Sequence, residues 1–173
     1  MKKLEILIPQ YKEPDEVVKP LLDSIALQQG VNLKRDVGVI IVNDGTDVLL
    51  SDELLNSYDF DITYLKNKKN MGISYTRKKA FDNSTAEYVM FCDDDDMFFS
   101  SLGLYTIFEY MNETMDSGIM GFDVLVPYFK EEVENVNGKT IYFNHKKDKT
   151  FNHGKVYRRR YLLDNDIRFN TNV

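Results

Sequence analysis

The 173-residue chain carries 22 lysine and arginine residues against 28 aspartate and glutamate residues, which gives a formal net charge of −6. This acidic balance argues against general nucleic-acid binding, which needs a basic surface, and one cysteine is too few for a disulfide framework or a cysteine-based zinc site. Because no apolar run approaches the roughly 20 residues of a membrane span, we expect a single cytoplasmic domain without a transmembrane segment.

Four apolar runs in the first part of the chain predict β-strands, because each is rich in Val, Ile or aromatic residues and is bounded by polar residues or glycine. They cover residues 4–9, 37–42, 87–92 and, more weakly, 61–65. Helical patterns lie between or after them, over residues 14–29, 74–81 and 102–115. Strands that alternate with helices indicate crossover connections, and continuous apolar strands indicate burial on both faces of a parallel sheet. The sequence therefore predicts an α/β fold.

Two residues bear on the first of these helices. Gly30 is its expected stop, because glycine often follows the last helical turn. Pro20 lies inside the pattern and predicts either a kink or a helix that starts later than residue 14.

The pattern changes in the last third of the chain. Residues 119–129 are predicted to form a strand and residues 131–144 a hairpin, since Asn137-Gly138 is a strong hairpin-turn signal. A short helix is expected within residues 157–163.

Polar segments follow three of the predicted strands directly. They are residues 10–13, 43–47 and 93–96. In an open α/β sheet, ligands bind outside the carboxyl ends of the strands. The three segments are therefore expected to line one crevice.

Four consecutive aspartates, Asp93 to Asp96, are the strongest single signal. Adjacent carboxylates repel one another by about 1 kcal/mol per pair at 4 Å even in water, and a hard divalent cation such as Mg²⁺ or Mn²⁺ offsets that repulsion with oxygen ligands. If the chain stays extended, Asp93 and Asp95 face one side and Asp94 and Asp96 the other. The alternative is a solvated acidic turn that caps the next helix.

Other candidates also have two interpretations. Asp44 and Asp47 lie in a turn after a buried strand, where ordinary turn chemistry explains Asp47 better than Asp44. Tyr11 either stacks on a base or covers the end of the sheet. Gly72 followed by Arg77 suits a diphosphate at a helix N-terminus, and the alternative is a solvated arginine.

Several other functions are disfavoured. Cys92 ends an apolar strand and is expected to be a buried small hydrophobe, while His145 and His153 are too few and too separated for a metal-ligand pair. No G-x-G-x-x-G follows the first strand and no P-loop sequence occurs. A nucleotidyltransferase is a weaker alternative, because no G-x-G-T-R-like loop follows the first strand.

Together, four segments resemble the family 2 glycosyltransferases, which are inverting GT-A enzymes that use nucleotide sugars. Residues 6–13 (ILIPQYKE) are similar to the opening strand with its P-x-Y-N-E-like end, and residues 40–47 (IIVNDGTD) to the V-D-D-G-S-x-D segment. Residues 70–77 (NMGISYTR) resemble N-x-G-x-x-x-A-R, and residues 88–96 (YVMFCDDDD) resemble the segment that carries the D-x-D motif. The order and spacing of the four make the resemblance strong over nearly the whole chain.

The resemblance implies a role for each matching residue of the nucleotide pocket. Pro9, Tyr11 and Glu13 would line the nucleobase and ribose pocket. Asp44 would accept a hydrogen bond from a base imide N–H, which suggests uracil or thymine. Arg77 would approach the base or the diphosphate.

The resemblance also implies roles for the acidic run. Asp93 and Asp94 would contact the nucleotide, directly or through a metal ion, and Asp95 would hold the Mn²⁺ or Mg²⁺ that bridges the diphosphate oxygens. Asp93 and Asp95 are thus the candidate metal ligands and catalytic residues. The ion would neutralise the leaving nucleoside diphosphate as the glycosidic bond breaks.

The implied fold is GT-A-like, a Rossmann-related and mostly parallel sheet flanked by helices. Residues 1–118 would form the nucleotide-sugar-binding half, and residues 119–173 the start of the acceptor-side half of the same domain. The partners would be a nucleoside-diphosphate donor, with a UDP-sugar favoured, and a saccharide or glycan-precursor acceptor. The basic stretch 145–160 could cover the diphosphate or meet an anionic acceptor, but a solvated surface is favoured for it.

The chain departs from the family pattern at Lys12, Asn43, Thr76 and Lys78, and most importantly at its end. Inverting transfer needs a general base, and the E-D segment that supplies it would be expected to begin at Val173. The chain is then a fragment, or the base comes from elsewhere, or the chain is a non-catalytic nucleotide-sugar-binding module. Peripheral attachment to a membrane and the oligomeric state are left open.

Overall fold

Eight β-strands and six helices are present in the computed structural model, which describes residues 1–113, 120–134, 140–145 and 154–171. The strands are β1 (Leu4–Gln10), β2 (Val37–Asn43), β3 (Asp61–Lys66), β4 (Tyr88–Phe91), β5 (Val124–Leu125), β6 (Phe129–Glu134), β7 (Thr140–His145) and β8 (Val156–Arg158). The helices are α1 (Asp15–Ala26), α2 (Leu33–Asp36), α3 (Asp52–Leu55), α4 (Ile73–Asn83), α5 (Gly103–Asn112) and α6 (Arg159–Asp164).

The main sheet has six strands in the order β3-β2-β1-β4-β8-β5. Its first four strands are parallel neighbours, so that Ile6 lies opposite both Val39 and Met90. β8 runs antiparallel to β4 and to β5, and β6 and β7 form a separate antiparallel pair. The predicted α/β fold with a mostly parallel sheet is confirmed, and it brings the carboxyl ends of β1, β2 and β4 to one edge.

Apolar side chains cover both faces of the central strands. On one face Ile6 and Ile41 pack with Leu21 and Ile25 of α1 and with Leu104 of α5, and the other face packs against α4 and α6. Each fully buried side chain of this size stabilises the fold by about 1.5–3 kcal/mol relative to exposure. β1, β2 and β4 are almost entirely buried, as predicted, and β3 is a half-exposed edge strand.

The first helix is shorter than its apolar pattern. α1 ends at Ala26, four residues before Gly30, and the cap residue Leu27 donates its backbone N–H to Asp23 O. The helix starts at Asp15 and continues through Pro20, so the alternative of a later start is wrong. The apolar residues that α1 buries hold it together where proline removes one backbone donor.

The other long helices agree with their predicted positions. α4 starts one residue earlier and ends two residues later than predicted. α5 ends at Asn112 because Glu113 has an extended backbone, with φ −72° and ψ 142°. The sequence did not predict α2 and α3, which are four residues long and are capped by the side chains of Asn32 and Ser51.

The last third of the chain differs most from its prediction. Of the described residues 120–129 in the predicted strand, Val124–Leu125 join the main sheet, and Phe129 begins β6 instead. The predicted helix 157–163 begins at Arg159, because Tyr157 belongs to β8 and pairs with Val89.

The predicted hairpin is confirmed as the antiparallel pair β6–β7, in which Glu134 lies opposite Thr140. Its turn at Asn137-Gly138 lies outside the described residues, as does His153. In the basic stretch, the expected solvated surface is wrong for Lys155, whose exposed fraction is 7%.

Candidate functional site

A cleft of about 370 Å³ opens at the edge of the sheet where β1, β2 and β4 end. Every residue predicted to bind the nucleotide lines it: Pro9, Tyr11, Glu13, Asp44, Arg77 and Asp94. Asp93 lines it as well, whereas Asp95 does not. The structure therefore brings together the loop segments that the sequence placed at one crevice.

A larger depression of about 600 Å³ lies near the opposite end of the sheet, between the end of α1, α2 and the start of β3. Its charged lining residues are Lys34 and Asp59, and they form an ion pair with each other at 3.0 Å. The smaller cleft differs from it in lying at the carboxyl ends of the parallel strands, where an arginine and four acidic residues line it.

Asp44 fixes the loop that precedes α4. Its Oδ1 accepts hydrogen bonds from the Met71 amide (2.8 Å) and Asn67 Nδ2 (2.9 Å), and its Oδ2 accepts one from the Gly72 amide (2.9 Å). Burial by itself raises the pKa of a carboxyl, but these hydrogen bonds and one from Thr76 outweigh burial and hold the pKa of Asp44 below its usual value. Asp44 is therefore an ionised carboxylate that organises one wall of the cleft.

A buried amide pair joins the loops after β1 and β2. Gln10 and Asn43 are both fully buried, and Asn43 Nδ2 donates to Gln10 Oε1 at 2.6 Å. Gln10 Nε2 donates in turn to the carbonyls of Glu13 (2.7 Å) and Val48 (3.2 Å). Since buried hydrogen bonds of this kind are costly to break, the pair holds the two loops in fixed positions beside the cleft.

The turn after β2 packs closely against the loop that follows β3. Gly45 has φ +73°, and a Cβ at this position would lie 2.1 Å from the Lys69 carbonyl carbon. Only glycine combines this backbone conformation with such a close approach. The glycine of the turn therefore allows Asp44 to reach the loop before α4.

The loop after β1 places an aromatic ring at the cleft. Tyr11 is 43% exposed, and Lys12 Nζ lies 5.1 Å from the centre of its ring. Lys12 has φ +66°, a conformation that asparagine adopts more readily than lysine. The exposed ring can stack with a planar ligand.

The acidic run forms a tight turn and is not extended, so the alternation that would place Asp93 and Asp95 on one side does not apply. The Asp96 amide donates to Asp93 O at 3.2 Å, and the Asp93 amide donates to Asp96 Oδ2 at 3.2 Å. These hydrogen bonds close the turn within four residues. Asp94 and Asp95 occupy its centre, and Asp95 is exposed.

Arg77 of α4 forms an ion pair with the first residue of this turn. Arg77 Nη2 lies 2.5 Å from Asp93 Oδ1, and the two side chains are 17% and 34% exposed. The sequence predicted that each residue contacts the nucleotide, but it did not predict their contact with each other. Arg77 Nε is buried and has no hydrogen-bond partner among the described residues, which is typical of a position that a ligand completes.

Asp94 carries the clearest sign of uncompensated negative charge. Burial, together with the charges of Asp95 and Glu13, raises the pKa of Asp94 to about 7, against a hydrogen bond from the Tyr11 amide. That hydrogen bond is 3.4 Å long. A cation at the turn would remove this electrostatic penalty.

The acidic turn fits a divalent ion that is shared with a ligand. No three His, Cys, Asp or Glu side chains form a metal cage in the part of the chain that the structure describes. Mg²⁺ commonly uses one or two carboxylates and completes its shell with water and substrate phosphates. Asp93 and Asp95 provide the carboxylate oxygens that hard cations prefer.

Two buried polar residues of the site were not predicted. Asn67 is 3% exposed and Thr76 is fully buried, and Asn67 Nδ2 donates to Thr76 Oγ1 at 3.0 Å and to Asp44. Asn67 follows β3 directly, as Asp44 follows β2, which is the signal that could have identified it. Cys92 is buried as predicted, and burial raises the pKa of its thiol.

The sheet order and the site define the class of protein. The family model "Glycosyl transferase family 2" matches residues 5–171, and this chain therefore belongs to that family. None of the described helices combines the length and the apolar character that crossing a bilayer requires.

Two curated relatives align over nearly the whole chain. Teichoic acid poly(glycerol phosphate) polymerase of Staphylococcus epidermidis is 29% identical over 184 residues, which cover 100% of this chain and 24% of the relative. Poly(ribitol-phosphate) beta-N-acetylglucosaminyltransferase TarS of Staphylococcus aureus is 28% identical over 182 residues, which cover 98% of this chain and 30% of TarS. This chain thus spans less than a third of the length of these two relatives.

Solved structures establish the GT-A fold. S. aureus TarS 1–349 superposes with a TM-score of 0.69 at 22% identity, over 99% of this chain and 51% of that chain. The complex of TarS 1–349 with UDP-GlcNAc superposes with a TM-score of 0.65 at 21% identity, over 98% of this chain and 49% of that chain. The mannosyltransferase PcManGT of Pyrobaculum calidifontis, in complex with GDP-Man and Mn²⁺, superposes with a TM-score of 0.63 at 14% identity. This match covers 99% of this chain and 48% of that chain.

Proposed function

We propose that this chain binds a nucleoside-diphosphate sugar, with a UDP-sugar as the preferred donor, for transfer of the sugar to a saccharide or glycan-precursor acceptor. The observation that carries the proposal is the cleft, where Tyr11, Asp44, Arg77 and Asp93 meet although they come from four separate segments. The UDP-GlcNAc and UDP complexes of TarS support this donor class, because TarS shares the fold.

The nucleoside would occupy the part of the cleft formed by the loops after β1 and β2. The Tyr11 ring is open for stacking on a base, with Pro9 and Glu13 beside it towards the ribose. The Asp44 carboxylate already accepts hydrogen bonds from Asn67, Met71, Gly72 and Thr76, which use its four lone-pair positions. To accept from the imide N–H of uracil, Asp44 would exchange one of these donors, and the Thr76 hydroxyl is the one that can rotate away.

The diphosphate would lie between α4 and the acidic turn. Arg77 supplies the positive charge of this region, and Asp93 and Asp95 would hold the Mn²⁺ or Mg²⁺ ion while Asp94 contacts the nucleotide. When bound, the ion neutralises the negative charge that develops on the leaving diphosphate. Arg77 would position the same diphosphate through charge-assisted hydrogen bonds. The binding of Mn²⁺ with a nucleotide sugar by PcManGT supports this arrangement.

Inverting transfer, a cytoplasmic location and the division of roles at residue 118 are further parts of the proposal. A non-catalytic nucleotide-sugar-binding module is the second candidate. It is favoured by one observation: the acidic residues that line the cleft are Glu13, Asp44, Asp93 and Asp94, and all four are assigned to the donor. None of them is left to deprotonate an acceptor hydroxyl.

Thermal unfolding with UDP and Mn²⁺ tests donor binding. UDP at 100 times its Kd should stabilise the chain by about 2.7 kcal/mol, which raises the Tm by several degrees, and ADP should give a smaller shift. Asp95→Asn should lose the Mn²⁺-dependent part of the shift. Asp47→Asn is the control, since it removes an exposed charge after β2 from a residue that does not line the cleft.

Two results would contradict the proposal: no Tm shift of the wild type at saturating UDP and Mn²⁺, or equal shifts for wild type and Asp95→Asn. A separate assay distinguishes the two candidates. Release of UDP from UDP-GlcNAc in the presence of saccharide acceptors would support the transferase, whereas binding without release would support the module.

A further inference from the structure

The basic stretch contributes a buried lysine to the edge of the sheet. Lys155 has an exposed fraction of 7%, although lysines are almost never fully buried unless their charge is paired. The Phe91 amide donates to Lys155 O at 3.3 Å, and the Gly154 amide donates to Phe91 O at 2.6 Å. Lys155 therefore lies beside Phe91, which is the last residue of β4 and precedes Asp93 by two positions.

The arginines that follow Lys155 serve the fold. Arg158 Nε donates to the Phe122 carbonyl at 3.2 Å, and the guanidinium of Arg159 lies 5.3 Å from the centre of the Phe81 ring. Arg160 forms an exposed ion pair within α6. Lys155 is thus the basic residue of this described segment that lies beside the end of β4, whose following turn lines the cleft.

The side-chain alternation of an extended segment places Lys155 on the same face of the sheet as Tyr157, two residues later. Tyr157 packs against Phe91, with ring centres 5.9 Å apart, in the apolar cluster that α4 also joins. Arg77 belongs to α4 and reaches Asp93 from this face. Lys155 and Arg77 therefore approach the acidic turn from the same side of the sheet.

The lining of the cleft carries more negative than positive charge. Its charged lining residues are Glu13, Asp44, Asp93 and Asp94 against Arg77 alone, and a nucleoside diphosphate would add further negative charge. We infer that Lys155 is an additional diphosphate-binding residue, whose ammonium acts with the Arg77 guanidinium on the phosphates of the donor. This inference rests on the proposed function, and it assigns to Lys155 a role that the solvated-surface interpretation denied.

Calorimetric titration of UDP and of uridine in the presence of Mn²⁺ tests the inference. Lys155→Met removes the charge and keeps the length of the side chain, and replacing a buried charge by an apolar side chain is often tolerated. We expect the Kd for UDP to rise about tenfold or more, with the Kd for uridine unchanged. Lys155→Arg should bind UDP more tightly than Lys155→Met, and Arg160→Met, which removes a charge from the same stretch, should match the wild type.

Each outcome decides the question. A selective loss of UDP affinity supports the role of Lys155. An unchanged Kd for UDP overturns it, and so does an equal loss for UDP and uridine, because that result indicates a purely structural role. If Lys155→Met does not fold, Lys155→Gln gives the same comparison. A wild type that binds neither ligand would instead refute the proposed function itself.

Discussion

The Arg77 guanidinium lies 2.5 Å from the Asp93 carboxylate, so that α4 and the segment after β4 are joined by an ion pair at the cleft. The pair neutralises one end of the acidic turn. At the centre of the turn, burial and the charges of Asp95 and Glu13 raise the pKa of Asp94, so that its ionised form is disfavoured until a cation binds. The turn is therefore electrostatically asymmetric, with a neutralised side towards α4 and an acidic tip.

A double-mutant cycle on Arg77 and Asp93 should reveal their coupling. We expect Arg77→Met and Asp93→Asn each to lower the free energy of unfolding by about 1–3 kcal/mol, because each leaves a half-buried charge without its partner. The double variant should lose less than the sum of the two. Urea denaturation measures all three, and Lys78→Met, which breaks an exposed pair of the same helix, should cost less than about 0.5 kcal/mol. Strict additivity would show that the pair contributes nothing.

Replacement of Asp44 should destabilise the chain in a pH-dependent manner. Asp44→Asn places an N–H₂ group where the carboxylate now accepts hydrogen bonds from Met71 and Gly72, and we expect a loss of about 2–3 kcal/mol at pH 7. Asp47→Asn is the control, because the Asp47 side chain is fully exposed and its replacement should change stability by no more than about 0.5 kcal/mol.

The pH dependence follows from the lowered pKa of Asp44. The unfolded chain, with an aspartate pKa of about 3.9, takes up the proton before the folded chain does on acidification. The contribution of Asp44 to stability is therefore complete above this value and is lost as the pH falls through the folded pKa. Urea denaturation should show a smaller difference between wild type and Asp44→Asn at pH 3 than at pH 7; an equal difference would contradict the assignment.

Two glycine replacements separate backbone strain from steric contact. Gly45 and Gly72 have φ values of +73° and +84°, but a Cβ on Gly45 would collide with Lys69, whereas a Cβ on Gly72 would have open space. Gly72→Ala should cost about 1–3 kcal/mol from strain, since its φ of 84° and ψ of 160° lie in a region essentially restricted to glycine, and Gly45→Ala clearly more, as measured by thermal unfolding. Equal losses would mean that the turn after β2 can move away from Lys69.

Lys12 offers a stabilising substitution. Its φ of +66° is unfavourable for lysine and is tolerated by asparagine, so Lys12→Asn should raise the free energy of unfolding by about 0.5–1 kcal/mol. Lys68→Asn is the matched control, since Lys68 is an exposed loop residue that is absent from the positive-φ residues of the described chain. A gain at both positions would point to charge rather than to backbone conformation.

The strands could be predicted from the sequence because burial on both faces leaves a continuous apolar run. β1, β2 and β4 start and end within one residue of their predicted bounds. The four-residue helices α2 and α3 could not be predicted, since they show no apolar period and depend on the side-chain caps Asn32 and Ser51. The bounds predicted for the strand at residues 119–129 were wrong for another reason. An apolar run shows that a strand is possible, but it does not show where strand pairing starts and stops.

The candidate site was predictable as a set of segments and not as a set of contacts. The position of a residue at the end of a strand identifies Asp44 and Asp93 as cleft residues, because topology alone brings strand ends together. The conformation of the acidic run depends on hydrogen bonds between Asp93 and Asp96. The pairing of Arg77 with Asp93 depends on the orientation of α4 on the sheet. Neither can be inferred from residue order.

The amide pair of Gln10 and Asn43 restricts which substitutions positions 10 and 43 can accept. An aspartate at position 43 would set two acceptor oxygens against each other, since Asn43 now donates to Gln10 Oε1. Rotating the Gln10 amide would correct that clash, but its oxygen would then face the carbonyls of Glu13 and Val48. A homologue with aspartate at 43 therefore needs a compensating donor at 10, and substitutions at these two positions should be inherited together.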